Sequence, residues 1–594
     1  MIKLYQTNAI KILDFLKDSA RNEWDMIEQK FARDEISIFE SIMNVEDFNK
    51  LVFNYSPIKR RLCVFAKGDY LFIGPLMKSL SDCCPFCILL YLAIDESSLK
   101  SLSHKNKFKK SAYFGELNIE NTSLESNIIC IDMKRGKCLK LRKPFRHPTC
   151  KHSYNNHIYN VTTKNSVALP ILLRRLFDRK TGVIREMKNL RDVCSSRLRK
   201  KMEKNEVMFS WFQNPAFPLY PQIDFLDLAT GSGTSVRDAL RKAVFETIER
   251  YCVLSPPQAK PAKIGKFEDI KYNTMDPRKF WKYSEKQTSA MSFPFRNVRS
   301  RQNLKYIYGF TAFGDKILVP EDFVFINFDI PSKIHENTTS GCAAHISMER
   351  ACINALTELV ERDNTLRHWI SAKTMMHIKL NSMPSELKKK INYLNNLGFD
   401  VSIINCSKFD SIFTFEAFIE NRKGESPYAF VTSGAALKAH EGIEKSLREA
   451  IGTLLTSYGI EEKYGFKKIM ADKIVTPEDH VIFYQEPQNA KLLEHYRNYN
   501  ECISFNELKC ESIMEKNSYL TFRKVCAKLK EQGVETAFVD MTLDFFTNFG
   551  VKVVRCISPQ LMPLTFGTGM LKLDERWINK KSTIFAQKWP HPFS

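Results

Sequence analysis

One helical pattern occurs twice in the chain and constrains its fold more than any other feature. The first copy runs from Ala239 to Tyr251 and the second from Ala351 to Asp363. In both copies alanines recur four residues apart, and two glutamates three residues apart precede an arginine. Side chains three and four positions apart share one face of an α-helix. The sequence therefore predicts two helices that each present two carboxylates and one guanidinium group together.

The charged side chains of the pattern indicate a site for a metal ion and a nucleotide. They are Glu246, Glu249 and Arg250 in the first copy and Glu358, Glu361 and Arg362 in the second. A single exposed Glu–Arg pair would be a common helix contact worth a few tenths of a kcal/mol. Here the carboxylates alternate with apolar residues, which predicts partial burial, and buried carboxylates need cations. Mg²⁺ favours carboxylates together with nucleotide phosphates, and arginine pairs with either group.

The pattern of the remaining chain divides it into two parts. A length of 594 residues predicts two or three domains. Residues 1–165 contain amphipathic helical patterns up to Phe53 and then short strand-like runs, whereas residues 166–594 alternate long helices with apolar strands. That alternation predicts a large α/β or α+β domain of helices packed on mixed sheets, preceded by a smaller domain. We expect strands from Phe323 to Phe328, Val401 to Asn405, Phe413 to Ile419 and Val551 to Ile557.

Charge and hydropathy argue against several classes of function. The net charge is +22, but the basic clusters are short, hold one aromatic residue and accompany no nucleic-acid-binding module. An acidic peptide partner and simple solvation explain the excess equally well. No apolar run is long enough to cross a membrane, and the first residues lack the apolar stretch of a secretory signal. We therefore expect a cytoplasmic protein that binds neither nucleic acid nor membrane, with mostly reduced cysteines.

The two helices resemble the ATP-binding core of YcaO-domain enzymes, and the resemblance extends over most of residues 170–594. Three more segments carry it: Leu176 to Ile184, Ile443 to Ala450 and Val553 to Pro559. The resemblance implies that the four glutamates bind Mg²⁺ bridging the ATP phosphates and that the other nucleotide-site residues are Arg250, Arg362, Lys445 and Glu449. Two positions depart from the family pattern. Ser232 stands where Gly-Lys-Gly is frequent, and Gly452 stands where glutamine is common.

A cysteine motif in the first 165 residues resembles a zinc knuckle. Cys84-Pro-Phe-Cys87 has the spacing of two thiolate ligands from one tight turn. The surrounding sequence resembles a reduced ThiF-like partner domain of azole-forming cyclodehydratases, in which a structural zinc is frequent. Ser153 replaces the fourth cysteine, so Cys150 and His152 would complete a site with three cysteines and one histidine. Reduced loop cysteines left by a degenerate site are the alternative.

The end of the chain, Trp589 to Ser594, resembles the Pro-x-Pro-x-Pro tail of azoline-forming family members. We expect this tail to dock, with the carboxylate of Ser594 or the side chain of His591 as the catalytic proton acceptor; a frayed terminus is the alternative.

The resemblance implies ATP-dependent cyclodehydration of Cys, Ser or Thr residues in a ribosomally made precursor peptide, as in bacteriocin maturation. Its implied partners are that peptide, a separate leader-binding protein, a flavin-dependent dehydrogenase and a second copy of the chain. Thioamide or amidine formation and a silent nucleotide-binding scaffold are alternatives. The scaffold would be expected to lack a Mg²⁺ carboxylate, and none of the four is missing.

Overall fold

The computed structural model describes residues 168–593 with several short gaps, and before them six strands and a few single residues. The six strands form one sheet in numerical order, with the first two pairings parallel and the others antiparallel. They are β1 (Lys3–Tyr5), β2 (Ile36–Phe39), β3 (Arg61–Lys67), β4 (Tyr70–Met77), β5 (Asn127–Asp132) and β6 (Lys137–Arg142). The strand-like runs around Val64 and Phe72 are therefore confirmed. Helical patterns are predicted for the residues up to Phe53, but two segments within that range, β1 and β2, are strands.

The remaining strands form three sheets. They are β7 (Ile184–Asn189), β8 (Glu206–Gln213), β9 (Leu226–Gly233), β10 (Lys263–Gly265), β11 (Leu304–Phe310), β12 (Lys316–Pro320), β13 (Cys342–His345), β14 (Met376–Ile378), β15 (Phe399–Asn405), β16 (Phe413–Asn421), β17 (Ala429–Ala436), β18 (Cys502–Ile503), β19 (Ala537–Asp540) and β20 (Lys552–Ile557). Strands β7, β8 and β9 make a three-stranded antiparallel sheet. A central sheet has the order β10-β11-β19-β20-β13 with β12 beside β11, and a five-stranded sheet has the order β17-β16-β15-β14-β18.

Helices pack on these sheets. They are α1 (Leu169–Leu176), α2 (Leu190–Val193), α3 (Ser196–Met202), α4 (Val236–Leu254), α5 (Phe267–Ile270), α6 (Glu285–Thr288), α7 (Met348–Ser371), α8 (Ser385–Asn396), α9 (Ala439–Tyr464), α10 (Pro477–Tyr484), α11 (Glu494–Arg497), α12 (Ser518–Glu531) and α13 (Asp544–Thr547). The predicted architecture of helices on mixed sheets is confirmed. Helices α4 and α7 contain the two copies of the repeated pattern, and Ser235 and Ser347 cap their first turns.

Most of the predicted strands are present. The runs beginning at Val401, Phe413 and Val551 lie in or overlap β15, β16 and β20. The strand predicted from Phe323 is wrong as far as residue 326, because Phe323 ends a 3-10 helix and residues 324–326 form a turn. Its apolar side chains are buried against the central sheet without joining it, which shows that burial alone does not specify a strand. No helix in the described ranges is long and apolar enough to cross a membrane.

A structural repeat relates two strand–helix units. In each unit a three-stranded antiparallel meander leads into a long helix, with β7-β8-β9 before α4 and β15-β16-β17 before α9. The last strand contains a glycine, Gly231 or Gly434, that lies directly against the helix backbone. A Cβ atom at Gly231 would lie 2.2 Å from the Ala239 carbonyl oxygen, and one at Gly434 would lie 2.4 Å from the Gly442 carbonyl oxygen. Both contacts span eight residues, so the helices meet their strands in the same register.

Candidate nucleotide site

Three long helices bring the predicted site residues together. Helix α7 contacts β13 and β20 of the central sheet and β17 of the five-stranded sheet. Helix α4 also contacts β13, while α9 lies on β17 and reaches β9. The carboxylates of α4 and α7 therefore meet in the space between the three sheets, and α9 adds further charged side chains there.

Glu249 of α4 and Glu358 of α7 face each other. Burial raises the pKa of Glu249 well above its ordinary value, and the charges of Glu358 and Glu246 raise it further. Burial also raises the pKa of Glu358, although the charge of Arg362 opposes this shift. A nearby backbone N–H, of Ala344 for Glu249 and of Gly341 for Glu358, also opposes the rise in each pKa. Two half-buried, mutually repelling carboxylates are stabilised by a bound cation, so this pair fits a metal ion.

Glu246 forms the outer part of the cluster. Its Oε1 lies 3.0 Å from Nη2 of Arg250, and its Oε2 accepts a hydrogen bond of 3.3 Å from the Thr230 N–H. Arg250 also donates to the Leu228 carbonyl at 2.9 Å. Burial raises the pKa of Glu246, opposed by Arg250 and reinforced by the charge of Glu449 on α9. Arg250 thus holds Glu246 in place through contacts within the protein, and Glu449 approaches from the third helix.

Glu361 is fixed by the strand that precedes α9. Its Oε1 accepts a 2.6 Å hydrogen bond from the Ser433 hydroxyl, and its Oε2 accepts a 2.8 Å bond from the Ala435 N–H. Arg362 lies 3.6 Å from Glu358 and 3.8 Å from Glu361, in ion-pair range of both. The Nε of Arg362 is nevertheless buried with no hydrogen-bond partner in the described protein. A buried guanidinium Nε–H without a partner, beside carboxylates, fits a phosphate oxygen as its missing acceptor.

Two lysines occupy equivalent places in the two strand–helix units. Lys242 donates to the Ser232 carbonyl at 2.8 Å, and Lys445 donates to the Ala435 carbonyl at 2.7 Å. Each lysine lies eleven residues after the strand glycine and binds the residue directly following it. Burial lowers the pKa of both ammonium groups. Each strand–helix unit therefore carries one lysine bound to its last strand, and the sequence analysis identified only Lys445.

The two departures from the family pattern touch each other. A Cβ atom added to Gly452 would lie 3.1 Å from Cβ and 3.2 Å from Oγ of Ser232. Both residues line a cleft of about 390 Å³ between α9 and the loop before α4, together with Asp238, Glu444 and Arg448. The small residues at 232 and 452 leave this space open.

The carboxylates do not form a closed metal cage. Within the described ranges, no group of three or more His, Cys, Asp or Glu side chains is arranged to hold a metal ion. The four glutamates extend along two helices, and their role as Mg²⁺ ligands stays a prediction. Mg²⁺ keeps water or phosphate oxygens among its ligands and needs only one or two carboxylates. The arrangement therefore fits Mg²⁺ held jointly by glutamates and nucleotide phosphates.

The C-terminal tail docks beside this site. Pro590, His591, Pro592 and Phe593 are buried, which confirms the predicted docking for these residues. The Nε2–H of His591 donates to the Thr565 carbonyl at 2.7 Å, and its Nδ1 accepts from the Phe593 N–H at 3.3 Å. With both ring nitrogens engaged, His591 is better suited to anchor the tail than to accept a catalytic proton, and that second role stays a prediction. Ser594 lies outside the described residues.

The predicted zinc ligands Cys84, Cys87, Cys150 and His152 also lie outside the described residues. Among the described cysteines, Cys252, Cys352 and Cys556 are buried and form no disulfide, in line with the expected reduced state. Burial raises the pKa of each of these thiols, as expected for cysteines that pack as small apolar groups.

Comparison with known proteins identifies the family. The family described as YcaO cyclodehydratase, ATP- and Mg²⁺-binding, matches residues 230–562, more than half of the chain. The chain belongs to the YcaO family. The match contains both copies of the repeated pattern and the third helix, so the resemblance predicted from the sequence is confirmed. No curated protein matches the chain significantly.

Solved structures share the fold of this YcaO protein. One, described as a heterocyclase in complex with substrate and cofactor, is 14% identical, with a TM-score of 0.67 over 94% of this chain and 81% of that chain. The heterocyclase TruD is 14% identical, with a TM-score of 0.62 over 95% of this chain and 80% of that chain. A YcaO protein from Methanopyrus kandleri, bound with AMPPCP and Mg²⁺, is 17% identical, with a TM-score of 0.47 over 65% and 88%. The first two likenesses confirm the fold. The ThiF-like assignment of residues 1–165 stays a prediction.

Some residues of the YcaO site were missed by the sequence analysis. Ser433 binds Glu361 and belongs to a strand whose pattern gives no functional signal. Arg555 is buried, donates to the carbonyls of Val324 and Thr338, and its charge reaches Glu358. An arginine within an otherwise apolar strand was the available signal for Arg555, because such a charge needs buried partners.

Proposed function

We propose that this YcaO protein uses ATP and Mg²⁺ to convert Cys, Ser or Thr residues of a ribosomally made peptide into thiazoline or oxazoline rings. The observation that carries the proposal is the facing pair Glu249 and Glu358, with Arg362 beside it lacking a hydrogen-bond partner at Nε. These groups suit Mg²⁺ and a phosphate. The two solved structures of the same fold, both described as heterocyclases, support ring formation as the chemistry.

The proposed reaction removes one water from the peptide for each ATP. The side-chain sulfur or oxygen attacks the carbonyl carbon of the preceding amide and loses its proton, and the carbonyl oxygen becomes an oxyanion. The oxyanion takes the γ-phosphoryl group of ATP, and ADP leaves. The bond between the former carbonyl carbon and the phosphorylated oxygen then breaks. The amide nitrogen loses its proton in the same step, and the C=N bond of the ring forms. The peptide oxygen leaves in inorganic phosphate.

The residues of the site would bind the nucleotide and stabilise charge. Glu246, Glu249, Glu358 and Glu361 would hold Mg²⁺, which supplies charge neutralisation at the phosphates when bound. Arg362 would donate its unused Nε–H to a phosphate oxygen. Such groups aimed at the transferred phosphoryl group contribute most of the catalysis in phosphoryl transfer.

Lys242 and Lys445 would add positive charge near the cluster. Each ammonium group donates to a backbone carbonyl, and Lys242 also pairs with Asp238 at 2.7 Å, which leaves at least one N–H of each lysine for a phosphate oxygen. Glu449 approaches Glu246 from α9, so binding of a cation there would relieve the repulsion that raises the Glu246 pKa.

The first part of the chain is proposed to serve peptide recognition. We assign residues 1–165 to a reduced ThiF-like domain with a structural zinc on Cys84, Cys87, Cys150 and His152, and residues 166–594 to the ATP-dependent domain. A separate leader-binding protein, a flavin-dependent dehydrogenase and a second copy of the chain are the proposed partners. The proposed compartment is the cytoplasm.

The test uses purified protein, ATP, Mg²⁺ and a short candidate precursor peptide with a Cys/Ser/Thr-rich core, followed by intact mass measurement. The proposal predicts loss of one water mass per modified residue in the wild type. Glu361→Gln should abolish it, while Glu425→Gln, an exposed position on the loop after β16, should not. No mass change that depends on ATP and peptide, with all partner proteins present, would contradict the proposal. Replacement of oxygen by sulfur would instead support the thioamide alternative.

A further inference from the structure

The C-terminal tail is held by a helix that the repeated pattern does not include. Helix α10 presents His480 and Tyr484 on one face, four residues apart. Both side chains are buried, and both bind backbone carbonyls of the tail. The His480 Nδ1–H donates to the His591 carbonyl at 2.7 Å, and the Tyr484 hydroxyl donates to the Pro590 carbonyl at 2.6 Å. These bonds are made to the main chain, so they fix the path of the tail directly.

The hydrogen bonds assign opposite tautomers to two stacked histidines. His480 donates from Nδ1 and accepts at Nε2 from the Gly567 N–H at 3.0 Å. His591 donates from Nε2 to the Thr565 carbonyl and accepts at Nδ1 from the Phe593 N–H. The rings stack with their centroids 4.2 Å apart. All four ring nitrogens are used, which is possible only when both rings are neutral. Burial lowers the pKa of both rings, consistent with this.

The tail and the nucleotide site share a connecting segment, residues 561–567. The Met562 N–H donates to Asp363 Oδ1 at 2.9 Å, and Asp363 directly follows Arg362 on α7. The Leu564 N–H donates to the hydroxyl of Ser340, in the loop before β13. His591 binds the same segment at Thr565, and the charge of Arg362 acts on the His591 ring. The tail therefore lies on a segment fixed to the helix that carries Arg362.

We propose that His480 and Tyr484 are positioning residues that hold the C-terminal tail against the nucleotide site through the carbonyls of His591 and Pro590. The His480–His591 stack sets the direction in which the chain leaves His591. The effect of these two residues on catalysis rests on the proposed function. Their effect on docking of the tail does not. His480 and Tyr484 act through the tail and need not touch the substrate.

Two substitutions at position 480 separate the tail bond from the bond to Gly567. The amide nitrogen of asparagine can replace the donor Nδ1, so His480→Asn keeps the bond to the tail. The amide oxygen of glutamine can replace the acceptor Nε2, so His480→Gln keeps the bond from Gly567 and loses the bond to the tail. Tyr484→Phe removes one hydroxyl and keeps the buried ring. Comparing the three variants distinguishes positioning of the tail from general support of the fold.

Docking is measured by hydrogen–deuterium exchange of the C-terminal peptide. Within residues 589–593 the exchangeable backbone amides are those of Trp589, His591 and Phe593, since the prolines carry none. Exchange should be about tenfold faster in Tyr484→Phe and in His480→Gln than in the wild type, the effect of losing one hydrogen bond of ordinary strength. His480→Asn should stay close to the wild type. Unchanged exchange in the His480→Gln/Tyr484→Phe double variant would overturn the inference.

Catalysis is measured by intact mass over a range of ATP concentrations that extends to saturation. The kcat of the double variant should fall about tenfold or more, because the tail is misplaced, with the KM for ATP within about twofold of wild type. Asparagine at position 480 should rescue most of the loss relative to glutamine. Wild-type activity with an equally active double variant would overturn the role in catalysis. A wild type without activity would contradict the proposed function, and the exchange measurement would still decide whether the tail is clamped.

Discussion

The contact between Gly231 and α4 gives the sharpest test of how the fold positions the site. In Gly231→Ala the new Cβ would lie 2.2 Å from the Ala239 carbonyl oxygen and 2.5 Å from the Ala243 nitrogen. Ordinary contact begins at 3.4 Å, so the strand and the helix must separate by more than 1 Å. Both neighbours are backbone atoms and cannot rotate away. Overpacking of this kind costs about 1–3 kcal/mol.

The separation of strand and helix should affect function more than stability. Glu246 and Glu249 lie on the helix that moves, and a displacement of about 1 Å at a site can cost roughly 100-fold in rate. We expect Gly231→Ala to lower the thermal unfolding midpoint by a few degrees and to weaken Mg-ATP binding and turnover by about tenfold or more. Differential scanning fluorimetry and calorimetric titration measure the two effects.

The matched control is Gly265→Ala in β10. Its Cβ would meet only the Ile270 side chain, at 3.9 Å, and its backbone is not in the left-handed region. This variant should unfold and bind nucleotide like the wild type. If Gly231→Ala also behaved like the wild type, the close strand–helix contact would not position the carboxylates, and the reasoning would be refuted.

Three further predictions concern charge. Glu361→Gln replaces one carboxylate oxygen with an NH₂ group that cannot accept, so either the Ser433 hydroxyl or the Ala435 N–H loses its acceptor. ATP turnover should be lost with a stability cost of about 1–3 kcal/mol, seen by activity assay and thermal unfolding. Burial and repulsion raise the pKa of Glu249 above its ordinary value of 4.5, so above pH 4.5 the folded, metal-free protein binds more protons than the unfolded chain. The thermal unfolding midpoint of the metal-free protein should therefore fall as the pH rises from about 5 to 8. Glu249→Gln should reduce that fall. Arg555 donates to the buried carbonyls of Val324 and Thr338, and Arg555→Lys should leave one of them unpaired at a cost of about 1–3 kcal/mol, which lowers the thermal unfolding midpoint. The control Arg422→Lys changes an exposed ion pair and should leave the midpoint unchanged.

The sequence predicted the two helices of the candidate site better than the contacts around them. Helical periodicity placed Glu246, Glu249, Glu358 and Glu361 on two helices, because a spacing of three residues determines a shared face whatever the tertiary structure. The sequence did not predict that Glu361 would be bound by Ser433 and Ala435, because those contacts depend on how β17 pairs and where α7 crosses it.

The relation between α4 and α9 was also hidden in the sequence. Each of the two units carries one glycine, one lysine and one glutamate at the same spacing. The equivalent pairs are Gly231 and Gly434, Lys242 and Lys445, and Glu246 and Glu449. So few identities are not distinctive by themselves. The similarity is visible only when the strand glycines are seen to contact the helices. The sequence repeat instead related α4 to α7, whose preceding strands pair in different sheets.

The stoichiometry of ATP use and water loss tests the central claim most directly. With the peptide present, ADP release and peptide mass are measured in the same reaction, after subtraction of the ADP formed without peptide. The account predicts one ADP for each water mass lost, because each phosphoryl group leaves with one peptide oxygen. Water loss without ADP formation, or peptide-dependent ADP formation without any water loss, would contradict it.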